Sequence, residues 1–258
     1  LRTTPLLVFD FHGERKIFTS PIAVYCTDKI HEIKPIFDKV QKAIDSDLYV
    51  AGYVSYEAAP AFSDTFSVRA GARLPLVWFG VFERPETELQ LEQGGYRLER
   101  LESDTTIEQY NDAIHQIKQL IASGDTYQVN YTTRLRSDFQ GDDYAFYEYL
   151  RSAQAGKYSA YLNIGEQSLL SVSPELFFQW DGRRIVTKPM KGTSKRGASN
   201  EEDQALEQEL YHSDKNRAEN VMIVDLLRND LSKIARLGTV HVSKLFEIEA
   251  YPTLFQMT

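Results

Sequence analysis

The chain has 258 residues, 42% hydrophobic and 26% charged, with 15 Tyr and 14 Phe; that length can bury a substantial core, and the composition argues against disorder. Lys and Arg number 29 against 37 Asp and Glu, a formal charge of −8, and no basic block occurs, so nucleic acid and anionic membrane are poor partners. No apolar run is long enough to span a bilayer and the first residues lack the layout of a signal peptide, which predicts a cytoplasmic location.

Residues 1–84 read as short strands around one helix: PLLVFDF, IFTSPIAVY, a helical HEIKPIFDKVQKAID, LYVAGYVSYEAA and LPLVWFGVFERP. The single cysteine, Cys26, ends the apolar stretch PIAVYC and is expected to pack; no Cys/His pairs show zinc spacing. Residues 85–106 are polar, carry the Gly94–Gly95 pair and at most one strand near Tyr96, and read as a connection between subdomains. From Ile107 the signal is helical, because Ile107, Tyr110, Ile114, Ile117, Leu120 and Ile121 recur on one face. Thr105 and Glu108 have capping-box spacing and Gly124 sits where a C-terminal cap belongs. His115 beside the stripe reads as a boundary histidine rather than a ligand.

Residues 158–189 read as one antiparallel meander, YSAYLNI, QSLLSV, ELFFQW and RRIVTKP, with a turn at Gly165 and a two-residue hairpin at Asp181–Gly182. EEDQALEQEL and AENVMIVDLLRND follow as two helices, the second apolar around most of its circumference and therefore expected to be buried. VHVSKLFEIEAYP reads as a last strand. The expected fold is α/β (α+β), antiparallel sheets packed in a sandwich with helices outside. Residues 1–84 form an amino-terminal subdomain and 107–258 the first part of a second.

Two segments carry chemistry. The loop Lys188-Pro189-Met190-Lys191-Gly192-Thr193-Ser194-Lys195-Arg196-Gly197 concentrates cations and glycines past a strand end, where backbone amides can turn to an anion. A phosphate or carboxylate site is one reading and a solvated basic turn the other; a Walker pattern is absent. In the second, Asn216 and Glu219 are three apart near the start of a helix and share a face, so Glu219 can hold magnesium through one carboxylate. Asp225 and Arg228 on the same helix read as a structural ion pair.

SVSPELFF, TKPMKGTSKRG, SDKNRAENVMIVDLLRNDLSKI and the earlier GDTYQVNYT resemble, in this order, the motifs of the chorismate-utilising enzymes, which include anthranilate, isochorismate, salicylate and aminodeoxychorismate synthases. The resemblance runs from about Ile107 to the end and more loosely back to Leu6. Lys191 occupies the slot where the aminodeoxychorismate synthase component I branch has lysine and the anthranilate and isochorismate types have alanine.

The resemblance implies that the Lys191 amine attacks C2 of chorismate as the C4 hydroxyl leaves, after which ammonia adds at C4 and expels the lysine. Such a role requires a neutral amine, favoured by burial or by neighbouring cations such as Lys188, Lys195 and Arg196. Gly192 and Thr193 would bind substrate. Glu175 matches the acid that moves a proton at the C4 oxygen, and a carboxyl tucked against Pro174 and Leu176 is suited to hold one. An ideal hairpin would pair position 175 with 188 and 172 with 191, putting Glu175 and Lys191 on opposite faces. Pro174 and Pro189 are expected to interrupt the ladder and let both reach one cleft.

Glu219 matches the Mg2+ ligand, whereas Asn216 departs from the acidic residue usual there. Gln256 stands where the anthranilate branch has a histidine linked to pyruvate elimination. Ser20, with Tyr158 to Tyr161, lies near positions that bind tryptophan in some relatives, although packing is the preferred reading. The resemblance further implies a partner glutamine amidotransferase subunit that supplies ammonia, and 4-amino-4-deoxychorismate as product for folate and 4-aminobenzoate synthesis. It also implies a later segment with a glycine-rich loop, a carboxylate-binding arginine and more metal ligands, so residues 1–258 by themselves are expected to lack activity. The competing readings are an anthranilate or 2-amino-2-deoxyisochorismate synthase type and a non-catalytic binding scaffold.

Overall fold

A computed structural model describes residues 4–88 and 94–258. The elements in chain order are β1 (Leu6–Phe11), β2 (Glu14–Thr19), β3 (Ala23–Thr27), α1 (Ile33–Ile44), β4 (Tyr49–Val54) and β5 (Val77–Phe82). Then come β6 (Tyr96–Leu98), β7 (Glu102–Ser103), α2 (Ile107–Ser123), β8 (Leu135–Arg136), β9 (Phe139–Gly141), α3 (Asp143–Gln154), β10 (Tyr158–Asn163) and β11 (Ser168–Ser173). The last are β12 (Leu176–Trp180), β13 (Ile185–Lys188), β14 (Thr193–Lys195), α4 (Asn200–His212), α5 (Asp214–Ser232), β15 (Ile248–Ala250) and β16 (Leu254–Met257). They gather into two compact units, residues 1–93 with 146–175 and residues 94–145 with 176–258. Both units are discontinuous in sequence. Residues 89–93, part of the expected connection, lie outside the described residues.

The first unit is a sandwich of two antiparallel sheets, ordered β11-β10-β1-β2 and β3-β5-β4. Alternation along each strand sends one set of side chains inward. Leu7, Phe18, Ala160 and Leu162 of the first sheet meet Ala51, Trp78 and Phe82 of the second in one buried cluster. Outside the second sheet, Ile33 and Ile36 of α1 pack with Ala58, Leu76 and Val77. The expected IFTSPIAVY strand is two strands, because the backbone turns left-handed at Ser20 (φ 50°) and Pro21 follows. Cys26, expected to pack, is exposed on β3, an edge strand of its sheet.

α3 had no counterpart among the expected elements. Its signal is Tyr144 and Tyr147, three apart and both buried. In the first unit the Tyr147 ring lies 5.7 Å from that of Tyr161, and its hydroxyl donates to Asp10 Oδ2 at 2.7 Å. Asp10 also accepts from Arg15 Nε at 2.8 Å, and Arg15 reaches Glu148 at 2.8 Å. Burial, and then the Asp10 hydrogen bond, push the Tyr147 hydroxyl far above the ordinary phenol range. Tyr147→Phe is therefore expected to cost about 2 kcal/mol, the worth of a hydrogen bond to a charged group. Urea unfolding measures this, and an unchanged midpoint would show that the bond contributes nothing.

In the second unit α4 packs on the sheet β14-β16-β15 through Leu210, Phe255 and Met257. Three shorter ladders, β12-β13, β6-β9 and β7-β8, complete its strands. α2 begins one residue later than expected. Thr106, not Thr105, is the N-cap, and its hydroxyl and the Gln109 side chain form the capping box in place of Glu108. Gly124 closes the helix in the left-handed conformation (φ 82°), as expected. His115 is exposed and bonded to Gln119 at 2.9 Å.

The expected meander is divided, since β10 and β11 lie in the four-stranded sheet and β12 pairs with β13 alone. The two-residue hairpin is also corrected. Trp180 faces Ile185 and Gln179 faces Val186, so the loop is the four residues 181–184. Asp181 Oδ1 accepts the amides of Arg184 at 2.7 Å and Arg183 at 2.9 Å, and these bonds hold its carboxyl below the usual range. An irregularity between Leu176 and Gln179 shifts the register, and the ladder ends with Leu176 opposite Lys188. Position 188 is thus paired one residue later than the ideal hairpin requires.

Two further expectations fail. α5 is not buried: Val221, Met222 and Leu226 are exposed, and Asn220 is its buried residue. Apolar residues spread around a helix need cover on several sides, which the described neighbours do not supply. The last expected strand begins only at Ile248, and residues 240–246 form no strand. Among the described residues no helix is long and apolar enough to cross a membrane.

Candidate active site

The loop after β13 is held by backbone bonds that continue the β14–β16 pairing. Thr193 faces Gln256, Met257 N donates to Gly192 O at 2.9 Å, and Lys191 N donates to Met257 O at 3.1 Å. Met190 is buried, anchoring the loop, while Lys191 beside it is half-exposed. Gly192 is left-handed (φ 96°), and a Cβ there would sit 3.0 Å from the Cβ of Asn216. A side chain would be strained and crowded at once. The absent side chain lets the loop lie directly on the first turn of α5, whose N-cap Ser213 accepts from Asn216 N.

Of the loop cations, Lys188 bonds Glu249, and Arg196 bonds Asp203 through Nε at 2.8 Å and the Tyr251 carbonyl at 2.7 Å. Lys195 lies 3.5 Å from Glu202. The expected cationic neighbours of Lys191 are thus each matched by a carboxylate. Lys191 differs: its Nζ donates to Asn130 Oδ1 at 2.9 Å, and among the described residues no carboxylate lies within ion-pairing distance of it. The Asn130 amide oxygen is a neutral acceptor that orients the Lys191 amine. Asn130 belongs to GDTYQVNYT, one of the segments that carry the resemblance, in which sequence reasoning singled out no residue.

Across the same loop, Thr193 Oγ1 donates to Gln256 Oε1 at 3.0 Å. This fixes the Gln256 amide and directs its NH2 away from Thr193. The second unit therefore brings together Lys191, Gly192, Thr193, Asn216 and Gln256 from three separated segments.

A family profile described as chorismate binding enzyme matches residues 84–258. The chain belongs to this family. Over 142 residues this chain is 43% identical to the aminodeoxychorismate synthase component 1 of Bacillus subtilis, covering 55% of this chain and 30% of that protein. Over 150 residues it is 40% identical to that of Klebsiella aerogenes, covering 58% and 33%. Over 152 residues it is 41% identical to the anthranilate synthase component 1 of Thermus thermophilus, covering 59% and 33%. The matched segment thus spans about a third of these relatives. Among solved structures, a 2,3-dihydroxybenzoate-specific isochorismate synthase from Bacillus anthracis superposes with a TM-score of 0.76 at 18% identity, covering 100% of this chain and 67% of that one. Anthranilate synthase component I from Streptococcus pneumoniae gives 0.65 at 18%, covering 98% and 66%. At such identities these structures show the fold alone.

Chorismate-binding enzymes of this family generally use Mg2+. Glu219 offers one partly exposed carboxylate, 4.0 Å from Lys215, and Asn216 commits its Nδ2 to Ser213 Oγ at 2.9 Å. Among the described residues no three His, Cys, Asp or Glu side chains converge. One carboxylate completed by water and substrate oxygens suits magnesium, so the donor set fits.

Glu175 is the last residue of the first unit. It is exposed rather than tucked away, with its amide donating to Ser173 Oγ at 3.1 Å. Ser20, also in that unit, is exposed rather than packed, whereas Tyr161 is fully buried and Tyr158 meets His12 at 3.0 Å. Asp225 and Arg228 form the expected ion pair at 2.7 Å, both largely exposed, where such a pair contributes little.

Proposed function

We propose that this chain is part of an aminodeoxychorismate synthase component 1, which converts chorismate and ammonia to 4-amino-4-deoxychorismate for folate synthesis, with ammonia supplied by a glutamine amidotransferase subunit. The observation that carries the reading is Lys191, an amine at a loop crest with a neutral Asn130 partner, in the slot that separates this branch from its relatives. In the proposed reaction the lysine nitrogen bonds to C2 of chorismate. Both conjugated ring double bonds shift by one position toward C4, the C4–O bond breaks, and Glu175 gives the proton that lets the oxygen leave as water. Ammonia then bonds to C4 as the bond from C2 to lysine breaks, returning the amine.

Gly192 and Thr193 line the substrate side of the loop. Glu219 would hold Mg2+, which would supply positive charge for the substrate carboxylate. Gln256 has no titratable proton and so offers no acid or base for eliminating the pyruvyl group, which fits a product that keeps it.

The test is product analysis with chorismate, ammonia and Mg2+ on the full-length protein, separating the products by chromatography. A product retaining both the pyruvyl ether and a C4 amine is expected. Anthranilate with released pyruvate would move the assignment to the anthranilate synthase type, whose members match at similar identity.

A further inference from the structure

The first two turns of α5 reach the Lys191 loop through residues 216 and 220, which are four apart and stack on one helix face. Asn216 packs against Gly192. Asn220, only 1% exposed, turns its Nδ2 to the Met257 carbonyl at 3.5 Å. That carbonyl is the one accepting the Lys191 amide at 3.1 Å. A carbonyl oxygen has two lone pairs, so it can take both donors at once. The Asn220 side chain and the Lys191 backbone are thereby tied to a single atom of β16.

Asn220 is an expensive residue to keep there. Its Oδ1 is buried and has no hydrogen-bond partner among the described residues, and an unmatched buried acceptor destabilises the fold. Leucine, of nearly the same shape, would fill the space without that cost. Met257 itself is fully buried and needs no polar neighbour for its side chain.

We infer that Asn220 is a positioning residue for the reaction proposed above: by holding the Met257 carbonyl it sets the backbone from which Lys191 projects. Because Glu219 precedes it in the chain, one amide keeps the turn that would hold Mg2+ and the Lys191 loop in register. The inference rests on Lys191 acting as nucleophile.

The test compares wild type, Asn220→Leu, Asn220→Ala and Lys191→Ala in the full-length protein with chorismate, Mg2+ and ammonia. Asn220→Leu is expected to raise the melting temperature, because it removes the unmatched acceptor. It should also lower kcat at least about tenfold and slow the lysine adduct, with KM for chorismate little changed, since a small misplacement of a reacting group costs rate. A purely structural asparagine would lose stability and rate together or neither. Unchanged kcat in a folded Asn220→Leu protein overturns the inference, as does a loss confined to KM. Should the leucine variant fail to fold, Asn220→Ala is read by adduct formation per folded molecule, and a normal rate there also overturns it. Lys191→Ala separates the two levels. If it alone abolishes the adduct, Asn220 is not a positioning residue while the nucleophile stands; if amination survives it undiminished, both fall.

Discussion

Chorismate added to the full-length protein without ammonia is expected to leave a covalent adduct on one lysine, detectable by intact-protein mass spectrometry after a mild quench, and Lys191→Ala is expected to remove it. The same variant should lower amination at least about a hundredfold with ammonia in excess, because direct displacement at C4 replaces two easier substitutions. The reason lies in the partners of the loop cations. Lys188, Lys195 and Arg196 each face a carboxylate, so the charge of those residues is matched, whereas Lys191 meets the neutral oxygen of Asn130. An adduct on a different lysine, or full amination by the variant, would refute the assignment.

The second large effect is expected at Glu219. Glu219→Gln keeps the shape and the helix but removes the negative charge, and Asn216 one turn earlier brings no carboxylate to replace it. Half-saturation with Mg2+ should then move up at least about tenfold, as losses at metal shells do, and turnover at limiting Mg2+ should fall on the order of a hundredfold. A Mg2+ titration of initial rates reads both. An unaltered titration curve would mean that Glu219 does not hold the metal and that the likeness of its motif misleads.

Much of this arrangement could be read along the chain. The stripe from Ile107 to Ile121 and the Gly124 cap describe α2 to within a residue at its start. That one-residue error has a local cause: Thr105 and Thr106 both stand three before a side chain able to cap, and only the entry of the chain into the helix chooses between them. The motif carrying Lys191, Gly192 and Thr193 singles out its loop through the resemblance alone, since its composition suits a solvated basic turn as well as an anion site.

Tertiary structure alone decided the rest, because periodicity describes one element at a time and says nothing about which elements meet. β10 pairs with β1 across some 150 residues of chain, so the segment expected to form a single meander is shared between two sheets. The turn at Asp181 is four residues long because its side chain caps two successive amides, a choice the Asp-Gly pair does not announce. The basic loop is charge-matched by Glu249, Glu202 and Asp203, which follow it in the chain, and the partner of Lys191 is Asn130, 61 positions before it. The sequence by itself determined α1, α2, α4 and α5 as helices and the Gly124 cap, and its resemblance to a family singled out Lys191 as the nucleophile candidate. Only the fold determined its neighbours, since hydrogen bonds between distant side chains depend on backbone paths that buried apolar contacts, not local pattern, bring together.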